Sequence, residues 1–141
     1  MANTQAVCTS AKVKALNAIV ANADTLKAAL YLASATVNAS TTVYSATGEV
    51  SGAGYTAGGV TVTHATAATS SGTTAYWTPT ASYAWTTVTL ATAFDAVLTY
   101  NSTDTNSAIC VNTFGSTTVT AANFTLTMPT NDSSNALLRL A

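Results

Sequence analysis

Charge is what this sequence has least of: Asp, Glu, Lys and Arg make up 6% of its 141 residues, against about 25% in an ordinary soluble domain. Four cations (Lys12, Lys14, Lys27 and Arg139) oppose five carboxylates, for a formal net charge of −1. Four scattered cations cannot form the basic stripe that neutralises phosphates, so nucleic acid is excluded as a partner. A polybasic patch for an anionic bilayer is missing for the same reason, and no apolar run reaches the roughly 20 residues that a spanning helix needs. No membrane partner is expected. The opening Met1-Ala-Asn-Thr-Gln-Ala-Val-Cys-Thr-Ser10 has neither the basic nor the apolar region of a secretion leader. The sequons at Asn38, Asn101, Asn123 and Asn131 therefore read as accidents of a Thr/Ser-rich chain.

Catalytic and ligating residues are equally scarce. A serine hydrolase needs a histidine with an orienting carboxylate, and the one histidine, His64, ends the Val60-Thr-Val-Thr63 run without any nucleophile-elbow sequence nearby. Metal sites need clustered ligands, which one histidine and two remote cysteines do not make. A carboxylate pair would need two of Asp24, Glu49, Asp95, Asp104 and Asp132 to converge, and no spacing suggests it. The chain is read as no enzyme, with no catalytic residue, cofactor or metal. Cys110, within Ala108-Ile-Cys-Val111, reads as a small buried hydrophobe. Cys8 is a candidate intermolecular thiol.

What is present is a core-forming chain: 48% of residues are hydrophobic, the reverse of a disordered composition. Thr9 or Ser10 can cap a helix, because a hydroxyl accepts from an otherwise unpaired first-turn N–H. Val13, Leu16, Ile19, Val20 and Ala23 then follow at helical spacing. Such a short amphipathic helix must lay its apolar stripe on its own sheet or on a neighbouring subunit. From Leu26 onward the pattern is one of strands: 26–32, 41–44, 49–50, 60–63, 74–77, 85–90, 96–100, 109–113, 117–119, 124–128 and 137–140. Threonine suits this pattern, its branched Cβ fitting the pleat and its hydroxyl tolerating water. Turn signals every eight to twelve residues or so favour a sandwich or barrel over a βαβ fold. The expectation is a mainly β chain, an antiparallel β-sandwich of jelly-roll-like form behind one short helix. Residues 1–24 form an arm or helix and 25–141 a single sandwich domain. Edge strands normally carry charge, and no strong charges protect the edges here, which points to edges paired with a partner chain.

Two local features stand out. Gly48-Glu-Val-Ser-Gly52-Ala-Gly54-Tyr-Thr-Ala-Gly58-Gly59 contains a loose dinucleotide fingerprint, but it leads into a strand, so there is no helix N-terminus to hold a pyrophosphate. Its glycines are expected to supply positive φ or close backbone approach. Tyr76, Trp77, Tyr83 and Trp85 straddle Pro79. They read either as cross-strand packing or as an aromatic anchor for a protein or glycan.

Lys27-Ala-Ala-Leu-Tyr-Leu32 followed by Glu49-Val-Ser-Gly-Ala-Gly-Tyr-Thr-Ala-Gly-Gly59 resembles a family of small tailed-bacteriophage structural proteins. Ala93-Phe-Asp-Ala-Val-Leu-Thr-Tyr100, Phe114-Gly-Ser116 and Leu137-Leu-Arg-Leu140 extend the resemblance from about Leu26 to the C-terminus. It implies a virion protein assembled in the host cytoplasm, with head decoration or cement protein, or tail-associated protein, as the usual roles. The leading expectation is a decoration protein seated on the major capsid protein or other virion proteins. It would be a homo-oligomer, a trimer being one arrangement that fits, with many modest contacts summing through multivalency. Val13, Leu16 and Ile19 of the helix, with Tyr76, Trp77, Tyr83 and Trp85, are the candidate partner-binding residues. The alternative is a tail-fibre or adhesion module whose aromatic residues bind a host receptor or glycan. A filament-forming β-protein is a further, non-viral reading.

Overall fold

The stretch Leu26–Leu32 is apolar at almost every position, as a strand covered on both faces must be. It forms β1, the second strand of a four-stranded sheet. In the computed structural model, which describes residues 4–141, the chain is mainly β, with one short helix before two antiparallel sheets and no closed barrel. After α1 (Thr9–Ile19) and β1 come β2 (Val60–Thr61), β3 (Thr69–Ser71), β4 (Thr74–Trp77), β5 (Tyr83–Asn101), β6 (Ser107–Leu126) and β7 (Leu138–Leu140). The larger sheet has the order β2-β1-β5-β6 and the smaller β3-β4-β7.

One core joins the two sheets and the helix. Leu16 and Val20 of the helical segment pack with Leu26 and Leu30 of β1, Trp77 of β4, and Trp85, Leu90 and Phe94 of β5. On the opposite face of the larger sheet, Ala29, Tyr31, Ala96, Leu98 and Tyr100 are covered by Ala35, Val37 and Tyr44 from the long β1–β2 connection.

The helix answers which surface takes its apolar stripe. It sits against β4 and β3 of its own chain, with Lys12 Nζ donating to Thr73 O and Asn17 Oδ1 accepting from Ala68 N–H. Leu16 is buried, Val13 half-buried and Ile19 exposed. The N-cap residue is Cys8, not Thr9 or Ser10, and no side chain caps the first turn. Of the expected arm, residues 4–8 remain as an exposed extension, and residues 1–3 lie outside the described residues.

The strands expected at 85–90 and 96–100 are one strand, and those at 109–113, 117–119 and 124–128 are another. Together β5 and β6 form a hairpin whose 19-residue first strand spans about 60 Å at ~3.3 Å per residue. Extra residues interrupt the pairing on both sides. They lie on β5 between Trp85 and Val88 and between Leu90 and Phe94. On β6 they lie between Ala108 and Cys110, Thr113 and Thr117, and Val119 and Ala122. Thr87 (φ 50°) and Ala121 (φ 45°) take left-handed backbone at these bulges. Their N–H groups find side-chain acceptors, Asn123 Oδ1 and Thr89 Oγ1, in place of ladder partners. At the tip, buried Asn101 accepts from the N–H groups of Thr103 and Asp104 and donates to Asp24 Oδ2, tying the turn to the entrance of β1.

Elsewhere the expected strands shrink or shift. Val60–Thr63 pairs only over its first two residues, and the last strand starts at Leu138. Segments 41–44 and 49–50 contribute single bridges, Val43 to Ser107 and Glu49 to Tyr31. β3 was not expected, since Thr69, Ser70 and Ser71 are all exposed and carry no apolar alternation.

Candidate functional site

The glycine segment straps across the larger sheet, and its glycines are needed by contact as well as by conformation. Gly48, Gly54, Gly58 and Gly59 all have φ between 75° and 87°, a region that costs an L-residue about 1–2 kcal/mol. A Cβ on Gly59 would overlap the carbonyl oxygen of Ala28 and stand 2.7 Å from Ala29 Cα. One on Gly54 would stand 2.5 Å from Thr87 O. Backbone thus lies directly on backbone.

Glu49 fastens the strap. Its Oε2 accepts from Tyr44 OH at 2.6 Å, and its Oε1 accepts from Tyr55 OH and Gly58 N–H, each at 2.7 Å. Tyr55 OH in turn accepts from Leu30 N–H, Tyr100 OH donates to Gly58 O, and the Tyr44 and Tyr100 rings stack at 4.6 Å. Desolvation by burial, and next the bond to Glu49, push the Tyr44 and Tyr55 hydroxyls well above their ordinary range. These donors are already committed to one another, so the cluster acts as a clasp.

The sheet edges differ sharply from one another. β2, β3 and β7 are two or three residues long, and shortness is itself a way of blunting an edge. β6 is 20 residues long and contains no charge and no proline. Its first residues are covered: Ala108 N–H donates to Thr42 O, and Tyr44 N–H donates to Asn106 O. Beyond this lip, among the described residues, no backbone group pairs with the outer side of β6. No β6 residue is fully buried, and the exposed ones are Thr113, Gly115, Ser116, Thr118, Thr120 and the run 121–123, with Thr125. A cleft of about 360 Å³ opens where the lip diverges, between residues 38–41 and Ala108–Val111.

The aromatic candidates are packing residues. Trp77 is 0%, Tyr83 2% and Trp85 2% exposed, so their rings are not offered to a partner, and Tyr76 is half-buried. Trp77 Nε1 donates to Thr66 O, whereas Trp85 Nε1 is buried without a partner. Among the helix candidates, Leu16 is in the core, Val13 packs against it, and Ile19 faces outward. Cys8 is exposed, while Cys110 is half-buried rather than fully buried, with burial pushing its thiol up to about 11. His64 is half-buried in the loop after β2, its Nε2 3.0 Å from Asp24 O and its Nδ1 without a partner. Among the described residues no three His, Cys, Asp or Glu side chains gather as a metal site would require. The site that sequence reasoning approached only in general terms is the β6 edge. Its signal was the absence of any charge from Ser107 to Leu126.

Comparison with protein-family models, with curated proteins and with solved structures finds no match to this chain.

Proposed function

We propose that this chain is a structural protein of a tailed-bacteriophage particle, a head decoration or cement protein that acts by association. The observation that carries this reading is the long β6 edge, uncharged throughout and left open beyond Ala108. An exposed strand of this kind templates pairing with another chain, and soluble monomers suppress it with lysine, proline, brevity or bulges. This chain keeps β2, β3 and β7 short, whereas β6 is long, uncharged and free of proline and carries bulges alone. The resemblance of the Glu49–Gly59 segment to phage structural proteins gives the kind of particle, and the two sheets joined by one core fit a β-sandwich.

The adhesion reading loses its support, because three of its four aromatic residues are buried. The test is deletion of the gene from the phage that encodes it, followed by electron microscopy of purified particles. Heads are expected to form, to lack a regular layer of external density, and to release DNA at lower temperature. Wild-type virions free of the protein, or mutant particles that lose only tail structures, would overturn the decoration role.

A further inference from the structure

We propose that the β6 edge is occupied by the same edge of a second copy, antiparallel about a two-fold axis at Thr118. The inference deepens the assembly reading above, rests on it, and names the partner at this edge.

The argument starts from where the edge is open and where it is regular. The lip formed by Thr42 to Tyr44 closes the edge up to Ala108, and β6 ends at Leu126, three residues before Pro129. Inserted residues separate two runs that step evenly along β5: Cys110–Thr113 and Phe124–Leu126. Cys110–Asn112 and Phe124–Leu126 lie symmetrically about Thr118. Antiparallel pairing centred there sets Cys110 opposite Leu126, Val111 opposite Thr125, Asn112 opposite Phe124 and Thr113 opposite Asn123. Even steps therefore meet even steps from Cys110 to Asn112, and the two extra residues between Thr113 and Thr117 face the one extra residue between Val119 and Ala122.

The faces agree as well. Side chains directly opposite in an antiparallel pair lie on one side of the sheet. Thr99, the partner of Cys110, and Tyr83, the partner of Leu126, share one side, joined by a hydrogen bond between Tyr83 OH and Thr99 Oγ1. Val111, packed on the Tyr31 side, meets Thr125, which is exposed on that same side. A register shifted by one residue would set core-side residues against outer-side ones.

β6 ends at Leu126, so in this register the paired stretch ends at Cys110, short of the lip's bond to Ala108. No charge occurs on β6, so self-pairing brings no like charges together, whereas a charged partner strand would gain nothing here.

The test uses the full chain in sedimentation velocity over a wide concentration range, with hydrogen exchange of the 110–126 amides. A concentration-dependent dimer is expected, with protection of those amides rising as it forms. The double variant Thr118→Lys, Thr120→Lys places lysines against one another directly and diagonally across the axis, and should weaken the dimer at least about tenfold. Thr118→Glu, Thr120→Glu should do the same, and mixing the two variants should restore a heterodimer. Thr92→Lys, exposed on the interior strand β5, should leave association unchanged and shows that an added surface lysine is tolerated. A native monomer at all concentrations, a trimer, or lysine and glutamate variants that fail to rescue each other would overturn the pairing. A native chain that stays monomeric yet decorates heads would overturn this inference alone, leaving the particle role intact.

Discussion

Replacing Gly59 by alanine tests whether the glycine segment is held by backbone-on-backbone contact. Two separate costs apply. The φ of +75° puts an L-residue in left-handed backbone, at about 1–2 kcal/mol. The new methyl also overlaps the carbonyl of Ala28, a backbone atom of the most buried strand, and relief requires β2 to move off β1. Overpacking of this kind costs roughly 1–3 kcal/mol, so the whole change should destabilise by about 2–5 kcal/mol. Two other glycines separate the costs. Gly72 has φ +56° with nothing within 4 Å of where a Cβ would stand, and Gly115 has the same open space without positive φ. Gly72→Ala should lose only the conformational part, about 1–2 kcal/mol, and Gly115→Ala should be neutral or gain up to about 1 kcal/mol through a less flexible unfolded chain. Urea unfolding of the three variants at low protein concentration gives the order directly. If Gly59→Ala is no worse than Gly72→Ala, close approach is not what holds this segment.

Two further outcomes follow from the buried aromatics. Trp77→Phe breaks the bond to Thr66 O, whereas Trp85→Phe removes a buried N–H that has no partner. An unsatisfied buried group costs about 1–3 kcal/mol, so Trp77→Phe should be the more damaging by about 1 kcal/mol or more in urea midpoints, and equal losses would refute the distinction. Stability should also fall as pH rises above about 10, the ordinary tyrosine value. Burial raises Tyr31, Tyr44, Tyr55 and Tyr83 and pushes Tyr100 up to about 12. A raised tyrosine favours the neutral form in the folded chain, so its contribution is whole below the unfolded value and is lost as pH climbs through the folded one. Tyrosinate absorbance should therefore appear together with unfolding, and reversible ionisation of these hydroxyls near pH 10 in a folded chain would contradict the burial argument.

What could be read from the sequence follows from which residues carry periodic information. β1 and β4 were legible because burial on one or both faces selects apolar residues at fixed spacing. The β5–β6 hairpin reads as five shorter strands because bulges sit at Ala91-Thr92, Gly115-Ser116 and Thr120-Ala121, where exposed small residues imitate turns. β3 carries no signal of its own, and its three residues are extended because β4 pairs with them. The helix stripe lies slightly away from its expected line: at about 100° per residue, Leu16, Val20 and Val13 cluster within one arc and Ile19 falls outside it. Positive φ and close approach at the glycines were both foreseen. Glu49 as their fastening was not, because nothing in local periodicity shows that a carboxylate turns toward two tyrosines.

Bulges usually serve to spoil an edge, and β6 has three of them, which bears on how an uncharged strand could form a discrete assembly. A straight edge of this composition would accept a partner in many registers, because threonine and alanine pair with one another almost equally well at each step. Slippage would then lead to open-ended growth. Inserted residues remove that freedom, since each one must face either another insertion or a gap in the partner. On β6 the insertions flanking Thr118, of two residues before it and one after it, face one another only when the two copies share that residue as their centre. Moving the pairing by two residues keeps the faces correct but sets an even run against an inserted residue and loses hydrogen bonds. The bulges therefore act as a register mark, and the lip at Thr42 to Tyr44 closes the one end from which a longer ladder could continue. In such an edge, specificity comes from backbone irregularity, the role that charge plays in most proteins.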